Sequence, residues 1–298
     1  MDLRREVPLV AHAQQGRNRK DLARSAPRLR GRPALRPRRA GPGASEQGEA
    51  VSRRNSGPVR VFSARACAAP LEKAAALFQQ RTGIEVQISV CARHCAKPVA
   101  EEAVGEAGSH DFLQEIAEYR IHDLAISGAE YLLDDGEVRG IVQKGRRRTI
   151  AYRTSAIIVP RGNPAGVRRL ADLARPGVRV GISVIDCLKG LWEDVTARQG
   201  LLDPIRRNIT FHANGCVAIV EAVAQNVVDA AFGWTGFAHL AEGRIEIVPL
   251  APGQQIQRGT CIGLLSFSRQ AAAAGQFMDF LATPDAQACY REFGWTIR

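Results

Sequence analysis

Seven cysteines, Cys67, Cys91, Cys95, Cys187, Cys216, Cys261 and Cys289, are the residues of this chain best suited to chemistry. Most stand at a change of texture. Ser63-Ala64-Arg65-Ala66-Cys67, Cys91-Ala92-Arg93-His94-Cys95, Asp186-Cys187-Leu188-Lys189-Gly190 and Asn214-Gly215-Cys216 each follow a β-rich run and lead into a helical one. A thiolate is a soft donor that selects Zn, Cu(I), iron–sulfur clusters and other thiophilic species over hard oxyanions. Cys95 and Cys216 lie near helix N-termini, where a thiol's pKa is lowered. Arg65, Arg93 and Lys189 supply positive charge for several thiolates or for an anionic ligand. The grouping points to a soft-ligand site with Cys67, Cys91, Cys95, Cys187, Cys216 and Cys261 as metal ligands. No one spacing carries it, since Cys91-x3-Cys95 is not the Cys-x2-Cys of most zinc and iron–sulfur sites. Cys289, in Ala-Gln-Ala-Cys-Tyr, reads as a small buried hydrophobe. An odd count cannot be consumed by disulfides alone, but a pair such as Cys91–Cys95 in an oxidising compartment stays open. His94 is a candidate extra ligand, whereas His212 within a strand reads as packing. Trp192 is a candidate cleft wall or core residue. Asp186 and Glu221 form no acid–base pair, and no Ser-His-Asp or nucleotide-loop signature occurs.

These residues need elements to hold them, and from residue 59 strands and helices alternate. Strands are expected at Val59–Ala64, Glu85–Val90, Leu124–Ser127, Thr149–Val159, Val178–Ser183, Ile209–Ala213, Ala230–Trp234, Ile245–Leu250 and Thr260–Phe267. Helical spacing marks Pro70–Thr82 with Gly83 after it, Lys97–Ala107, Lys189–Gln199, Cys216–Gln225, Gln270–Ala282 and Pro284–Phe293. Such alternation implies parallel sheets covered by helices. A Pro/Gly turn cluster, Val159-Pro160-Arg161-Gly162-Asn163-Pro164, divides the pattern in two.

The net charge of +11 is local. Residues 1–58 hold 14 Lys and Arg against 5 Asp and Glu, leaving 27 against 25 for the remainder of the chain's 41 and 30. The body is close to neutral and asks for no nucleic-acid partner. Residues 1–58 read as a disordered basic extension or an upstream start, with an Arg-rich targeting peptide as the alternative. No apolar run suited to a signal peptide follows Arg53-Arg54, and none is long enough to span a membrane.

Ordered stretches of the body resemble the periplasmic solute-binding proteins of ABC transporters, in particular the molybdate/tungstate-binding branch. They are Val59-Arg60-Val61-Phe62-Ser63-Ala64, Phe78-Gln79-Gln80-Arg81-Thr82-Gly83, Asp123-Leu124-Ala125-Ile126-Ser127-Gly128, Ile157-Ile158-Val159-Pro160-Arg161-Gly162-Asn163-Pro164, Leu170-Ala171-Asp172-Leu173-Ala174-Arg175-Pro176-Gly177, and Phe277-Met278-Asp279-Phe280-Leu281 leading to Pro284-Asp285-Ala286-Gln287 and Phe293-Gly294-Trp295. The resemblance implies an α/β fold of two doubly wound parallel-sheet lobes joined by crossover strands, of the type II periplasmic-binding kind. Lobe one would be residues 59–158 and 251–298, and lobe two residues 159–250. A ligand would sit between them at strand ends and helix N-termini.

The chain departs from the branch at those ends, where cysteines stand and Trp234 takes the place of a usual tyrosine. The leading expectation is an extracytoplasmic binding protein, not an enzyme, that captures a thiophilic metal, metalloid or metal–sulfur species. Its ligand-binding set would be the six cysteines with Arg65, Lys189 and Trp234. The bound metal or iron–sulfur species would be its ligand, with no other cofactor, and its partner a transporter permease or membrane sensor, the protein itself a monomer. Alternatives are a molybdate/tungstate-like oxyanion receptor with incidental or paired cysteines, and a thiol-based redox protein or enzyme on the same lobes.

Overall fold

The apolar runs of the sequence become the strands of two sheets that share one long strand. The structure, a computed structural model, describes residues 57–91 and 112–298; the expected helix at 97–107, with Arg93, His94 and Cys95, lies outside them, as does all but the end of the basic segment. The strands are β1 (Val59–Ser63), β2 (Val86–Val90), β3 (Leu124–Ser127), β4 (Val142–Pro160), β5 (Val180–Ser183), β6 (Ile209–Ala213), β7 (Ala230–Trp234), β8 (Ile245–Pro249) and β9 (Gln257–Leu265). Their order is β2-β1-β3-β9-β4-β7-β5-β6, with β8 also on β4. In the first sheet β2, β1 and β3 are parallel, and β9 and the first half of β4 run against them. In the second, β6, β5 and β7 are parallel, and the second half of β4 pairs antiparallel with β7 and β8. The fold is the expected α/β class, parallel at the heart of each sheet, with antiparallel crossover strands between.

Helices α1 (Ala68–Thr82), α2 (Phe112–Tyr119), α3 (Glu130–Val138), α4 (Leu191–Ala197), α5 (Leu202–Arg206), α6 (Cys216–Ala224), α7 (Ala271–Phe280) and α8 (Pro284–Glu292) cover the sheets. On α1, Leu71, Ala74, Ala75 and Phe78 form one buried stripe, with Phe78 5.0 Å from Phe277 and 5.3 Å from Phe280. Gly83, with φ of +74°, ends that helix in the left-handed conformation, which costs a glycine nothing. Thr283 caps α8 by accepting a hydrogen bond from Ala286 N, with Pro284 following it. Asp123, buried before β3, accepts hydrogen bonds from Arg60 N, Ser268 Oγ, Arg269 N and Gln270 N, all within 3.0 Å. One carboxylate thereby ties β1 to the end of β9 and the start of α7.

Helix α3 gave little periodic signal because only Leu133 and Gly136 of Glu-Tyr-Leu-Leu-Asp-Asp-Gly-Glu-Val are buried. Strand β4 begins seven residues earlier than apolarity indicates, since Gln143-Lys144-Gly145-Arg146-Arg147-Arg148 is largely exposed. Between Thr149 and Ala151 β4 carries one residue more than β9 opposite it, a β-bulge. No helix among the described residues is long and apolar enough to cross a membrane.

Candidate functional site

The strand ends Ser63 of β1, Ser127 of β3, Ser183 of β5, Ala213 of β6 and Trp234 of β7 all lead into turns or helices, and the turns of the two sheets meet. The 3₁₀ turn Arg65–Cys67 packs on α6 and on the turn Thr235–Ala241, and Ala66 joins the second sheet's apolar core. Strands β4 and β9 run through this junction, and there the sequence places arginines opposite each other, Arg153 paired with Arg258.

Arg153 is 0% exposed. Its Nη1 donates to Cys187 Sγ at 3.4 Å, and its Cζ stands 4.7 Å from the centre of the Trp234 ring. Gly128 leaves it space, since a Cβ there would lie 2.8 Å from Cζ. Nε and Nη2 have no hydrogen-bond partner. Among the described residues no carboxylate pairs with it; the titratable side chains acting on it are Cys187, Cys67 and Cys216. Burial works against the cation, the cysteines more than offset it, and the guanidinium stays protonated. A buried charge ordinarily costs several kcal/mol unless it is paired and hydrogen-bonded. Half of that compensation is missing here.

The second arginine is fully engaged. Arg258 Nη1 donates to the carbonyls of Cys187 at 2.9 Å and Lys189 at 2.8 Å, and Nη2 to Asp194 at 3.3 Å. Its Cζ lies 5.7 Å from the Trp234 ring centre and 5.6 Å from that of Tyr131. It fixes the turn that carries Cys187, so Trp234 is a floor shared by two guanidinium groups.

Of the expected residues, Cys67, Cys187, Cys216 and Trp234 gather around Arg153. The other described cysteines do not join them. Successive side chains of a strand point to opposite faces. Thr260 of β9 bonds to Cys67 and accepts from Trp295 Nε1 at 2.9 Å, whereas the next residue, Cys261, lies 3.2 Å from Thr149 Oγ1 and packs with Cys91, Phe62 and Leu133. Cys91 Sγ accepts from Arg65 N at 3.4 Å. Of the six cysteines expected as metal ligands, Cys91, just past the end of β2, and Cys261, on the face of β9 opposite to Thr260, lie in a separate core, and Cys95 is outside the described residues. No three His, Cys, Asp or Glu side chains among the described residues are arranged to hold a metal. Arg65 and Lys189 have exposed side chains and contribute backbone atoms instead. Trp192 belongs to the core and Cys289 packs within α8. Glu221 pairs with Arg244 on the surface.

Cys67 is 0% exposed, and burial, the largest cause, pushes its thiol up from the ordinary 9.0 to about 12. Arg153 and the Thr260 hydrogen bond pull it down, and Cys187 and Cys216 add to the rise. At neutral pH it is a thiol, not a thiolate. Between pH 9 and 12 the unfolded chain loses this proton while the folded chain keeps it. Stability from this group is therefore complete below pH 9 and declines as pH rises, by about 4 kcal/mol at pH 12. Denaturant midpoints at pH 8.5, 10 and 11 should fall in sequence, and less steeply in Cys67→Ser. An identical slope in that variant would refute the assignment.

Comparison with known proteins places the fold. The model of the bacterial extracellular solute-binding protein family matches residues 59–296. No curated protein matches the chain. Among solved structures, the periplasmic molybdate-binding protein of Azotobacter vinelandii is similar at a TM-score of 0.63 and 20% identity, covering 80% of this chain and 99% of that one. The sulfate-binding protein SubI of Mycobacterium tuberculosis gives 0.66 and 16%, covering 80% and 86%. L-phospholactate-bound PEB3 gives 0.66 and 17%, covering 80% and 100%; PEB3 is a Campylobacter jejuni protein. With two sheets joined through β4 and a match along nearly all of the described body, the chain belongs to the bacterial extracellular solute-binding protein family.

Proposed function

We propose that this protein captures a small tetrahedral oxyanion or a close analogue between its two sheets and presents it to a transporter permease or membrane sensor. The observation that carries this reading is Arg153, wholly buried, charged and with two guanidinium nitrogens, Nε and Nη2, unmatched. An anion seated there supplies the missing partner, and the N-termini of α1 and α6, which begin beside Cys67 and at Cys216, add favourable dipoles. The solved structures named above for molybdate and sulfate binding have the same fold. The two sheets act as lobes divided at 158–159 and 250–251, and the protein works outside the cytoplasm as a monomer. Capture of a thiophilic metal or metalloid is the second reading, favoured by the three buried thiols, Cys67, Cys187 and Cys216, in the neighbourhood of Arg153. It ranks lower because no three His, Cys, Asp or Glu side chains among the described residues are arranged to hold a metal.

A thermal-shift screen against molybdate, sulfate, phosphate, Zn²⁺ and Cu(I) separates the two. A ligand at a hundredfold excess over its Kd stabilises by about 2.7 kcal/mol, and each kcal/mol raises Tm by about 2–4 °C at this size. An anion should give that shift and, in small-angle scattering, a more compact particle. A shift produced by the metals alone would replace the oxyanion reading with the soft-metal one.

A further inference from the structure

The segment 293–298 lies against both sheets. Trp295 and Ile297 pack into the apolar core of the first, and Thr296 exchanges two backbone hydrogen bonds with Tyr152 of β4, at 2.7 and 2.8 Å. Arg298 Cζ stands 4.5 Å from the centre of the Tyr152 ring, and its Nη2 donates to Gln257. The other side of the segment meets the turn Thr235–Ala241, which follows Trp234 in the second sheet. A Cβ on Gly236 would lie 2.6 Å from Trp295 Cζ3 and 3.1 Å from the Phe293 carbonyl oxygen. Gly236 does not have a positive φ, so this glycine provides space for the ring and is not required by its backbone. The His239 ring adds contacts at 5.5 Å to Phe293 and 5.8 Å to Trp295, centre to centre.

Resting on the reading above that the two sheets act as lobes, we propose that this segment is the latch of the closed form. Trp295 seated on Gly236 is the contact that closure makes and opening breaks. The two sides of the segment are held differently. Toward the first sheet it has the paired backbone bonds at Tyr152 and the bond from Trp295 Nε1 to Thr260 Oγ1 at 2.9 Å. Toward the second it has one side-chain bond, from Thr235 Oγ1 to the Gly294 carbonyl at 3.0 Å, and ring packing. Among the described residues no backbone hydrogen bond joins residues 235–241 to 293–298. That side can part without unfolding either sheet, as a hinge closure requires. Both sides also lead to the site. Thr260 bonds to Cys67 near Arg153, and Gly236 stands two residues after Trp234. A ligand held between the lobes binds with an affinity scaled by the population of the closed form, so the latch sets affinity without touching the ligand.

The test is Gly236→Ala in the full chain, which sets a methyl group against the Trp295 ring and wedges the latch. By titration calorimetry the variant should bind molybdate or sulfate about tenfold more weakly than the wild type. In small-angle scattering without ligand it should have the larger radius of gyration. Gly236→Ala/Trp295→Phe, with a smaller ring opposite the methyl group, should bind more tightly than Gly236→Ala and return to the compact form. Should Gly236→Ala not fold, Thr235→Val, which deletes the one side-chain bond, should weaken binding by a few fold in the same direction. Unchanged affinity, equal scattering curves for wild type and wedge, or a loss that the smaller ring does not relieve overturns the latch and leaves the anion reading standing. If the wild type binds neither anion, the anion reading falls, and the scattering comparison alone decides the latch.

Discussion

Replacing Arg153 by Met should abolish anion binding while leaving the ligand-free protein as stable as the wild type or more so. The two effects have separate origins. Removing one partner of a desolvated, hydrogen-bonded charge pair costs about 2–5 kcal/mol, or about 30-fold to several thousandfold in Kd. Without ligand, the same guanidinium is a buried cation with Nε and Nη2 unpaired and no carboxylate beside it among the described residues. Replacing such a charge by an apolar side chain of similar length is often neutral or stabilising by about 1–4 kcal/mol. The bond lost to Cys187 Sγ, at 3.4 Å, is a weak one. Calorimetry with the tightest anion and denaturant unfolding of the ligand-free variant read both quantities. A variant that unfolds several kcal/mol early and still binds would make Arg153 a structural residue.

Trp234→Ala should do the opposite and damage fold and binding together. The indole is 0% exposed at the end of β7 and lies under both Arg153 and Arg258. Truncating a buried Trp to Ala costs about 3–5 kcal/mol. The cavity also removes the surface on which both guanidinium groups are stacked, so Arg153 loses its aim. Trp234→Phe keeps a ring and most of the volume, and should fold with affinity reduced by a few fold. If Trp234→Ala melts within 1 kcal/mol of wild type, about 2–4 °C, the shared floor is not what holds these arginines.

The contrast between these residues shows what the sequence conveys. Trp234, Cys67, Cys187 and Cys216 could be picked out because each sits where an apolar run stops, and strand ends in α/β folds are where ligands lie. The strands themselves were legible for the same reason, as short runs of Val, Ile, Leu and Ala between turns. Arg153 was overlooked because it lies inside such a run, Ile150-Ala151-Tyr152-Arg153-Thr154-Ser155-Ala156-Ile157. A lone arginine in an otherwise apolar strand was the available signal, since a buried charge has to be matched by something. Arg258 precedes the apolar part of β9 and so looked like loop. Cys91 and Cys261 seemed to belong to the site because one follows a strand and the other lies on a strand returning to the first lobe. Which face Cys261 occupies depends on register between β3, β9 and β4, and pairing across more than a hundred residues leaves no local trace.

The bulge at Ile150 makes the character of this receptor a question of counting. Side chains alternate along β4, and Ile150 is one residue more than β9 supplies opposite it. Deleting Ile150 would leave Thr149 and Ala151 opposite Cys261 and Thr260 as an ordinary ladder, so Arg153 would stay opposite Arg258 and keep its face. Length variation in the turn at 161–166 touches none of this, because that turn lies beyond both paired segments of β4. The bulge is thus a spare residue: one codon lost there leaves the cationic interior in place, with every pair from Ala151 onward unchanged.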